Sequence, residues 1–324
     1  MTAKLAVVFG GSGFVGRNVV RELAKRGWRV RVAVRRPHQA QFLRPMGAVG
    51  QIQLMQANVR HRPSVAEALK GADAVINLVG ILHQEGGQSF ARVQAMGAET
   101  IAALAADAGI ENFVHVSSIG AARGSDSLYA KTKGIGEEAV RRYLPAATIL
   151  RPSIIFGAED EFFNKFATVF GLIPPFVPLP LLIGGGKTRF QPVYVDDVAD
   201  AVCAALSRAD ARGKVFELGG PRVYTFRDLL ELIMSETGKK RILWPVPFSI
   251  APALGFFGEA LGALPFLDPP ITRDQIRLLK RDNVVSDGAL TLADLGVAPE
   301  TLEAVLPSYM VRFRRYGQFT PKQA

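Results

Sequence analysis

Short apolar runs alternate with amphipathic segments along the first half of the chain. The runs are rich in valine and isoleucine, as expected for strands of a parallel sheet that is buried on both faces. They lie at residues 5–9, 29–34, 52–57, 74–80, 112–118 and 147–153. Apolar positions at helical spacing occur between them, most clearly at 90–108 and 129–143. This alternation predicts an α/β fold with a doubly wound parallel sheet and right-handed crossovers.

The chain changes character after about residue 156. Prolines and three consecutive glycines interrupt the apolar segment at 171–187, which excludes a long helix or a central strand there. We predict an irregular segment that covers a ligand cleft. Beyond it, the pattern predicts helices at 196–206 and 225–237, the second with Thr225 as its N-cap, and a strand at 214–218. These elements predict a smaller C-terminal α/β lobe.

A glycine-rich turn follows the first predicted strand. Gly10, Gly13 and Gly16 lie three residues apart, directly before an amphipathic helix. Such glycines permit a tight turn, a close approach of the backbone to a ligand and close packing of helix on strand. The amide groups and positive dipole end at the start of the helix suit a pyrophosphate. The pattern therefore predicts a dinucleotide-binding Rossmann domain over 1–155, and a simple connecting turn is the alternative.

The domain boundaries follow from these patterns. The Rossmann domain is predicted at 1–155 and the smaller lobe at 156–324. Residues of about 193–206 are expected to return to the Rossmann domain.

Arginines stand where the second predicted strand ends. An acidic residue at this position selects NAD by bonding the ribose 2′-hydroxyl, whereas an arginine accommodates the 2′-phosphate of NADP. This chain has Arg35 and Arg36 there, and Arg17 directly after Gly16. These residues predict NADP(H) as the cofactor, with solvated surface arginines as the alternative.

Composition and charge narrow the function further. The net charge of +10 calls for an anionic partner. The basic residues are scattered, however, and no nucleic-acid-binding signature accompanies them, so we expect no nucleic acid. The single cysteine and the four histidines show no ligand spacing, so no metal is expected. His115 is expected to be a satisfied strand residue. No stretch of 18 apolar residues lacks prolines or charges, so no transmembrane helix is expected.

A tyrosine and a lysine four residues apart follow the fifth predicted strand. Tyr129 and Lys133 would share one face of a helix, and we expect the ammonium to lower the pKa of the phenol. Ser118, at the end of the strand, would bond a substrate carbonyl. Together the three groups would support proton exchange during hydride transfer, and a surface pair is the alternative. Asp196 and Asp197 are more simply the acidic first turn of a helix.

Three motifs carry a resemblance to a known superfamily. The turn GGSGFVG, the strand end VSS and the pair in YAKTK resemble the extended or atypical short-chain dehydrogenases/reductases over about the first 200 residues. That resemblance implies the Rossmann fold. It leaves enzymatic activity open, because the superfamily includes reductases, epimerases, dehydratases and members that bind the cofactor without turnover.

A narrower resemblance extends further along the chain. Residues 151–167, 187–202 and 269–285 are similar to the NAD(P)H-binding accessory subunit of respiratory complex I, the alpha-subcomplex subunit 9 family. This implies a tightly held NADPH, complex I subunits near the quinone site as partners, and a peripheral location. That location is the cytoplasmic face of a bacterial inner membrane, or the matrix side for a mature organellar form. The alternative is a free-standing NADP(H)-dependent reductase or epimerase acting on a carbonyl or sugar-like substrate.

The resemblance also assigns site residues. It implies a catalytic set of Ser118, Tyr129 and Lys133, which relatives often lose in part. Cofactor contacts are implied at Gly10, Gly13, Phe14, Val15, Gly16, Arg17, Arg35, Arg36, Asn58, Val59, Val79, Gly80, Ser117, Tyr129, Lys133, Pro152 and Ser153.

An apolar stretch at 242–270 is either core or a contact surface. Composition leaves both open for Trp244, Phe248, Phe256 and Phe257. The resemblance favours contact with a neighbouring subunit, or with anionic lipid because basic residues lie nearby.

Overall fold

The computed structural model describes residues 3–84, 86–174, 180–262 and 272–319, and these divide into two compact units. The first unit comprises Met1–Pro152, Val195–Leu218 and Val285–Pro299. The second comprises Ser153–Tyr194, Gly219–Val284 and Glu300–Ala324. Elements are numbered along the whole chain.

A seven-stranded parallel sheet forms the centre of the first unit. Its strands are β1 (Leu5–Phe9), β2 (Arg29–Val34), β3 (Ile52–Gln56), β4 (Ala74–Asn77), β5 (Phe113–Val116), β6 (Thr148–Pro152) and β11 (Val215–Leu218). Their order across the sheet is β11, β6, β5, β4, β1, β2, β3. The first six strands lie where the apolar runs predict them, and the predicted α/β fold with a doubly wound parallel sheet is confirmed.

Helices cover both faces of this sheet. They are α1 (Phe14–Lys25), α2 (Arg62–Leu69), α3 (Met96–Asp107), α4 (Leu128–Tyr143) and α6 (Val195–Ser207). One face packs on α2, α3 and α4 through buried side chains that include Phe9, Phe113 and Ile101. On the other face, α1 packs against α6, and Arg21 and Asp196 form an ion pair at 2.6 Å between the two helices. The acidic first turn of α6 is therefore structural, as predicted.

Two elements differ from the sequence-based expectation. The strand predicted at 214–218 for the smaller lobe is β11, which pairs in parallel with β6 at the edge of the main sheet. Its apolar side chains are buried there, which the short pattern alone does not reveal. The helix predicted at 90–108 begins with a π-helical turn, Ala91–Ala95, before α3.

The second unit contains short strands and helices. They are β7 (Ile155–Phe156), α5 (Phe162–Leu172), β8 (Leu181–Ile183), β9 (Arg189–Phe190), β10 (Val193–Tyr194), β12 (Tyr224–Thr225), α7 (Phe226–Thr237), β13 (Trp244–Val246), α8 (Ala251–Gly262), α9 (Arg273–Leu278) and α10 (Leu302–Met310). The predicted N-cap of α7 is confirmed, because Thr225 and Asp228 form a reciprocal capping box. A buried aromatic cluster on α5, α7 and α10 forms the core.

The predicted irregular segment is described only in part, because residues 175–179 lie outside the described residues. Gly184, Gly185 and Gly186 take φ angles of 62°, 69° and 72°, and a Cβ on Gly184 would lie 2.2 Å from the ring of Phe248. Three left-handed residues in succession explain why neither a long helix nor a central strand forms there.

The apolar stretch at 242–262 has both exposed and buried aromatic residues. Trp244 and Phe256 are 54% and 56% exposed, whereas Phe248 packs on Ile183 and Val246. The side chain of Phe257 and residues 263–270 lie outside the described residues. None of the helices in the described ranges has the length and apolar character needed to cross a membrane.

A buried tyrosine and carboxylate link α5 to α10. The Tyr309 hydroxyl donates to Asp160 at 2.8 Å, and Asp160 also accepts from the amides of Gly157, Phe163 and Asn164. Burial raises the pKa of Asp160, and these hydrogen bonds oppose that shift.

We expect Tyr309→Phe to lower the free energy of unfolding by about 1–3 kcal/mol, because a buried acceptor loses a hydrogen bond. Chemical denaturation measures this change. Tyr143→Phe, at an exposed position, is the control and should leave stability nearly unchanged. Equal stability of the two variants would contradict the role of this pair.

Candidate functional site

Most of the predicted site residues lie at the carboxyl ends of the strands in the first unit. Chain order reverses between β4 and β1, and ligands of open α/β sheets bind beside such a reversal. The turn after β1 and the loops after β2, β3, β4 and β5 all begin at this edge. Pro152, at the end of β6, is buried at the same edge.

Three glycines of the turn after β1 lie where a side chain would not fit. Gly10 has φ of 81°, and a Cβ there would lie 3.1 Å from the carbonyl carbon of Leu78. A Cβ on Gly16 would lie 2.3 Å from the carbonyl oxygen of Gly10. Gly11, which the sequence-based reasoning did not single out, is equally confined, since its Cβ would lie 2.6 Å from Val32. The turn therefore fixes the start of α1 against the ends of β1 and β4.

The start of α1 suits an anion. Gly13 is the N-cap with extended backbone, and no side-chain hydrogen bond caps the helix. A Cβ on Gly13 would have only the Gly10 carbonyl oxygen near it, at 3.4 Å, so the position is open. Phe14, Val15 and Gly16 form the first turn, whose amide groups lack helical acceptors and would donate to a phosphate group.

A basic region adjoins this turn. Arg35 and Arg36 are exposed at the end of β2, and the Arg17 guanidinium lies 4.8 Å from the centre of the Phe42 ring. The sequence contains no acidic residue between Glu22 and Glu67, a signal that the motif-based reasoning overlooked. An anionic group at the end of β2 would therefore meet no carboxylate from this stretch of the chain.

Loops after β3 and β4 contribute further predicted residues. Asn58 Oδ1 accepts from the Arg60 amide at 3.1 Å, and Val59 packs so closely on α3 that a Cβ on Gly97 would lie 2.9 Å from it. The Val79 amide donates to Asn77 Oδ1 at 3.1 Å. These hydrogen bonds fix the two loops, and neither of them involves the backbone of Gly80.

Ser118, Tyr129 and Lys133 are brought together at the end of β5. Ser118 lies near the Tyr129 phenol, but its buried hydroxyl makes no hydrogen bond to the described residues. Phe90 packs edge-on against the tyrosine ring with centroids 5.8 Å apart. The Lys133 ammonium donates to the Val116 carbonyl at 3.2 Å. A Cβ on Gly80 would lie 3.4 Å from Lys133 Nζ, so the lysine connects the ends of β4 and β5.

The expected direction of the tyrosine pKa is wrong for the chain without a ligand. Burial raises the pKa of Tyr129, and the nearby Ser118 hydroxyl only opposes that shift. Burial also lowers the pKa of Lys133 to about 8, although Glu137 acts to raise it. Lys133 is only 5% exposed, and helical spacing, from which the lower tyrosine pKa was predicted, does not reveal this burial.

A largely buried ionic network lies next to Lys133, and the sequence motifs did not predict it. Arg151 on β6 donates to both carboxylate oxygens of Glu137, at 3.0 and 2.6 Å, and lies 3.6 Å from Glu217 on β11. Glu137 is four residues after Lys133 on α4, so the helical spacing is the signal that could have revealed it.

His115 is satisfied at one ring nitrogen only. Its Nδ1 lies 3.1 Å from Asn77 Nδ2, and the Asn77 oxygen already accepts from Val79. The Asn77 amide therefore donates, Nδ1 accepts, and the neutral ring carries its proton on Nε2. Burial, and then Lys133, lower the pKa of His115 to about 3. Within the described ranges, neither His115 Nε2 nor the buried Ser117 hydroxyl has a hydrogen-bond partner.

Ser153 is the one predicted contact residue in the second unit. Its hydroxyl oxygen lies 2.8 Å from the carbonyl oxygen of Asn283 and 2.7 Å from Oδ1 of that residue. Its hydroxyl is thus engaged within its own unit. No group of three or more His, Cys, Asp or Glu that would hold a metal ion occurs in the part of the chain described.

Together, these residues fit a dinucleotide. The open, uncapped turn suits a pyrophosphate, the basic end of β2 suits an added phosphate, and the buried Ser117 hydroxyl and Lys133 ammonium offer polar groups at the opposite end. The fit covers both ends of such a ligand within one unit.

Comparisons with known proteins identify sequences related to this chain. A family described as the NAD dependent epimerase/dehydratase family matches residues 6–219. The chain is 36% identical, over 97% of its length and 79% of the relative, to NADH dehydrogenase [ubiquinone] 1 alpha subcomplex subunit 9, mitochondrial, of Arabidopsis thaliana. It is 32% identical, over 75% of its length and 74% of the relative, to a ceramide reductase of Caulobacter vibrioides.

A solved structure shares the fold. It is an NADPH-dependent quinone oxidoreductase from Escherichia coli, with a TM-score of 0.71 over 95% of this chain and 99% of the other. The sequences are 20% identical, so the likeness concerns the fold alone.

The lowered pKa of Lys133 predicts a pH dependence of stability. The unfolded chain keeps this proton up to about pH 10.5, whereas the folded chain releases it near pH 8. The unfolded state binds more protons between these values, so the free energy of unfolding contributed by Lys133 rises with pH there. Denaturation of the ligand-free protein from pH 7 to 10 should show this rise relative to Lys133→Met. Lys131→Met, at an exposed position on the same helix, should behave as the wild type, and parallel profiles for all three proteins would contradict the shift.

Proposed function

The chain belongs to the NAD dependent epimerase/dehydratase family and to the alpha-subcomplex subunit 9 proteins, and from this we propose that it is an NADPH-holding accessory subunit of respiratory complex I. In this role the nucleotide stabilises the folded chain by binding it, without being consumed. The chain would prefer NADPH to NADH and would contact neighbouring complex I subunits.

One observation carries the preference for NADPH. The end of β2 presents Arg35 and Arg36, and no acidic residue occurs between Glu22 and Glu67. An arginine fork binds a phosphate through charged hydrogen bonds, whereas an acid at this place would repel it. NADH lacks the 2′-phosphate and would gain nothing from these groups.

The chain's own residues would hold the two ends of the nucleotide. The amides of the first turn of α1 would donate to the pyrophosphate, and the Lys133 ammonium, near Gly80, would donate to a ribose hydroxyl. When bound, the nicotinamide would supply a hydride. Tyr129 keeps its proton at neutral pH because burial raises its pKa, and a neutral phenol suits holding a ligand or donating a proton better than accepting one.

A free-standing NADP(H)-dependent reductase or epimerase is the second candidate. The grouping of Ser118, Tyr129 and Lys133 at one strand end favours it. Ser118 would orient a substrate carbonyl, and Tyr129 would donate a proton to its oxygen. The 32% identity to a protein named ceramide reductase supports a reductase function.

The proposed location is the membrane periphery. It is the cytoplasmic face of a bacterial inner membrane, or the matrix side for an organellar form. Trp244 and Ile250 are exposed in the second unit, and Lys239 to Arg241 precede them in the sequence. Apolar and cationic groups in one stretch suit contact with a neighbouring subunit or with anionic headgroups.

A pull-down from gently solubilised native membranes tests the proposed function. We expect the tagged chain to bring complex I subunits, identified by mass spectrometry, and to release NADPH in a one-to-one ratio. A chain that is recovered without partners and exchanges its nucleotide freely would contradict the accessory role and favour the second candidate.

Arg35→Asp tests the cofactor assignment. We expect it to weaken NADPH binding by about tenfold or more, because a charge-assisted contact becomes a repulsion, and to change NADH binding little. Calorimetric titration measures both affinities. Arg29→Asp makes the same charge change at the exposed start of β2 and should leave the ratio of the two affinities close to that of the wild type. An equal loss of both nucleotides in Arg35→Asp would refute the assignment.

A further inference from the structure

Two arginines hold a short segment that follows β4. This segment, residues 86–89, is called the strap here. Arg60, after β3, donates through Nη1 to the carbonyl oxygen of Gly87 at 2.7 Å. Arg35, at the end of β2, donates through Nη1 to Oε1 of Gln88. Because β1 lies between β4 and β2 in the sheet, the strap crosses the carboxyl end of the sheet to reach both arginines.

The strap offers Arg35 a neutral acceptor. A glutamine oxygen accepts a hydrogen bond without cancelling the charge of the guanidinium, whereas a carboxylate would pair with it. Gln88 accepts from one guanidinium nitrogen, and among the described residues the other donors of this group remain for a ligand. Arg35 is exposed, so without Gln88 its long side chain would sample many rotamers.

We propose that Gln88 is a positioning residue for nucleotide selectivity, which holds Arg35 ready for the 2′-phosphate of NADPH, and that Arg60 supports it by anchoring the strap. The inference rests on the proposed function and names two residues that would set its cofactor preference. Ordering a side chain before the ligand arrives lowers the entropy cost of binding. Only a nucleotide with a 2′-phosphate would contact Arg35 in this way, so the gain in affinity is specific to NADPH.

Gln88→Ala is the first test, with NADPH and NADH titrated separately into the purified protein. We expect NADPH to bind roughly 3- to 10-fold more weakly, the cost of ordering one free arginine side chain on binding, and NADH to bind unchanged. Gln53→Ala is the matched control. Gln53 Oε1 accepts from Arg31 Nε at 3.3 Å, an equivalent pair between β2 and β3 away from the strap, and its loss should change neither affinity.

Two further variants and a control separate positioning from simple loss of structure. Gln88→Glu keeps the size and the acceptor but pairs its charge with Arg35, so we expect it to weaken NADPH binding more than Gln88→Ala does, again without an effect on NADH. Arg60→Ala should reproduce the effect of Gln88→Ala. Arg62→Ala removes an equal charge from an exposed position two residues away and should weaken NADPH less than Arg60→Ala.

Several results would overturn the inference. Equal loss of NADPH and NADH in Gln88→Ala would make the strap a general structural element. Tighter NADPH binding in that variant would make Gln88 a competitor of the phosphate, and unchanged binding would give it no role. The proposed function fails separately, if the wild type binds neither nucleotide or if Arg35→Asp does not reduce NADPH binding.

Discussion

Close backbone packing determines the candidate site. Almost no space is left between the end of β1, the start of α1 and the loop after β4. A Cβ on Gly16 would meet the Gly10 carbonyl oxygen at 2.3 Å, and one on Gly10 would meet the carbonyl carbon of Leu78 at 3.1 Å. These contacts press the amino end of α1 against the sheet edge. Its free amide groups thereby face the crevice where chain order reverses, and the loop that follows β4 begins beside them. Backbone packing alone would thus supply the proposed anion site.

The two ends of the site differ in the exposure of their charged side chains. The end near β2 keeps its arginines exposed, and the sequence supplies no acid between Glu22 and Glu67 to offset them. The other end buries Lys133, which lowers its pKa to about 8. Glu137 offsets part of that cost and is itself fixed by Arg151 on β6. An exposed basic end suits a phosphate, and a buried lysine suits a specific hydrogen bond.

Apolar periodicity was sufficient to predict the order and type of the main elements, because buried parallel strands need uninterrupted apolar runs. It placed strand ends less well. The run predicted to 80 ends at Asn77, whose side-chain oxygen binds the Val79 amide, and the run predicted to 118 ends at Val116, whose carbonyl accepts from Lys133. The edge position of β11 and the network around Arg151 depend on contacts distant in sequence. Motif spacing suggests that Ser118, Tyr129 and Lys133 meet. The direction in which the pKa of Tyr129 shifts, however, depends on burial, which the spacing does not reveal.

A crystal structure of the protein with NADPH would test most directly the central claim that this sheet edge holds a phosphorylated nicotinamide nucleotide. The account predicts the pyrophosphate at the first-turn amides of α1 and the 2′-phosphate within hydrogen-bonding distance of Arg35. A nucleotide bound elsewhere, or one whose 2′-phosphate points away from the end of β2, would contradict it.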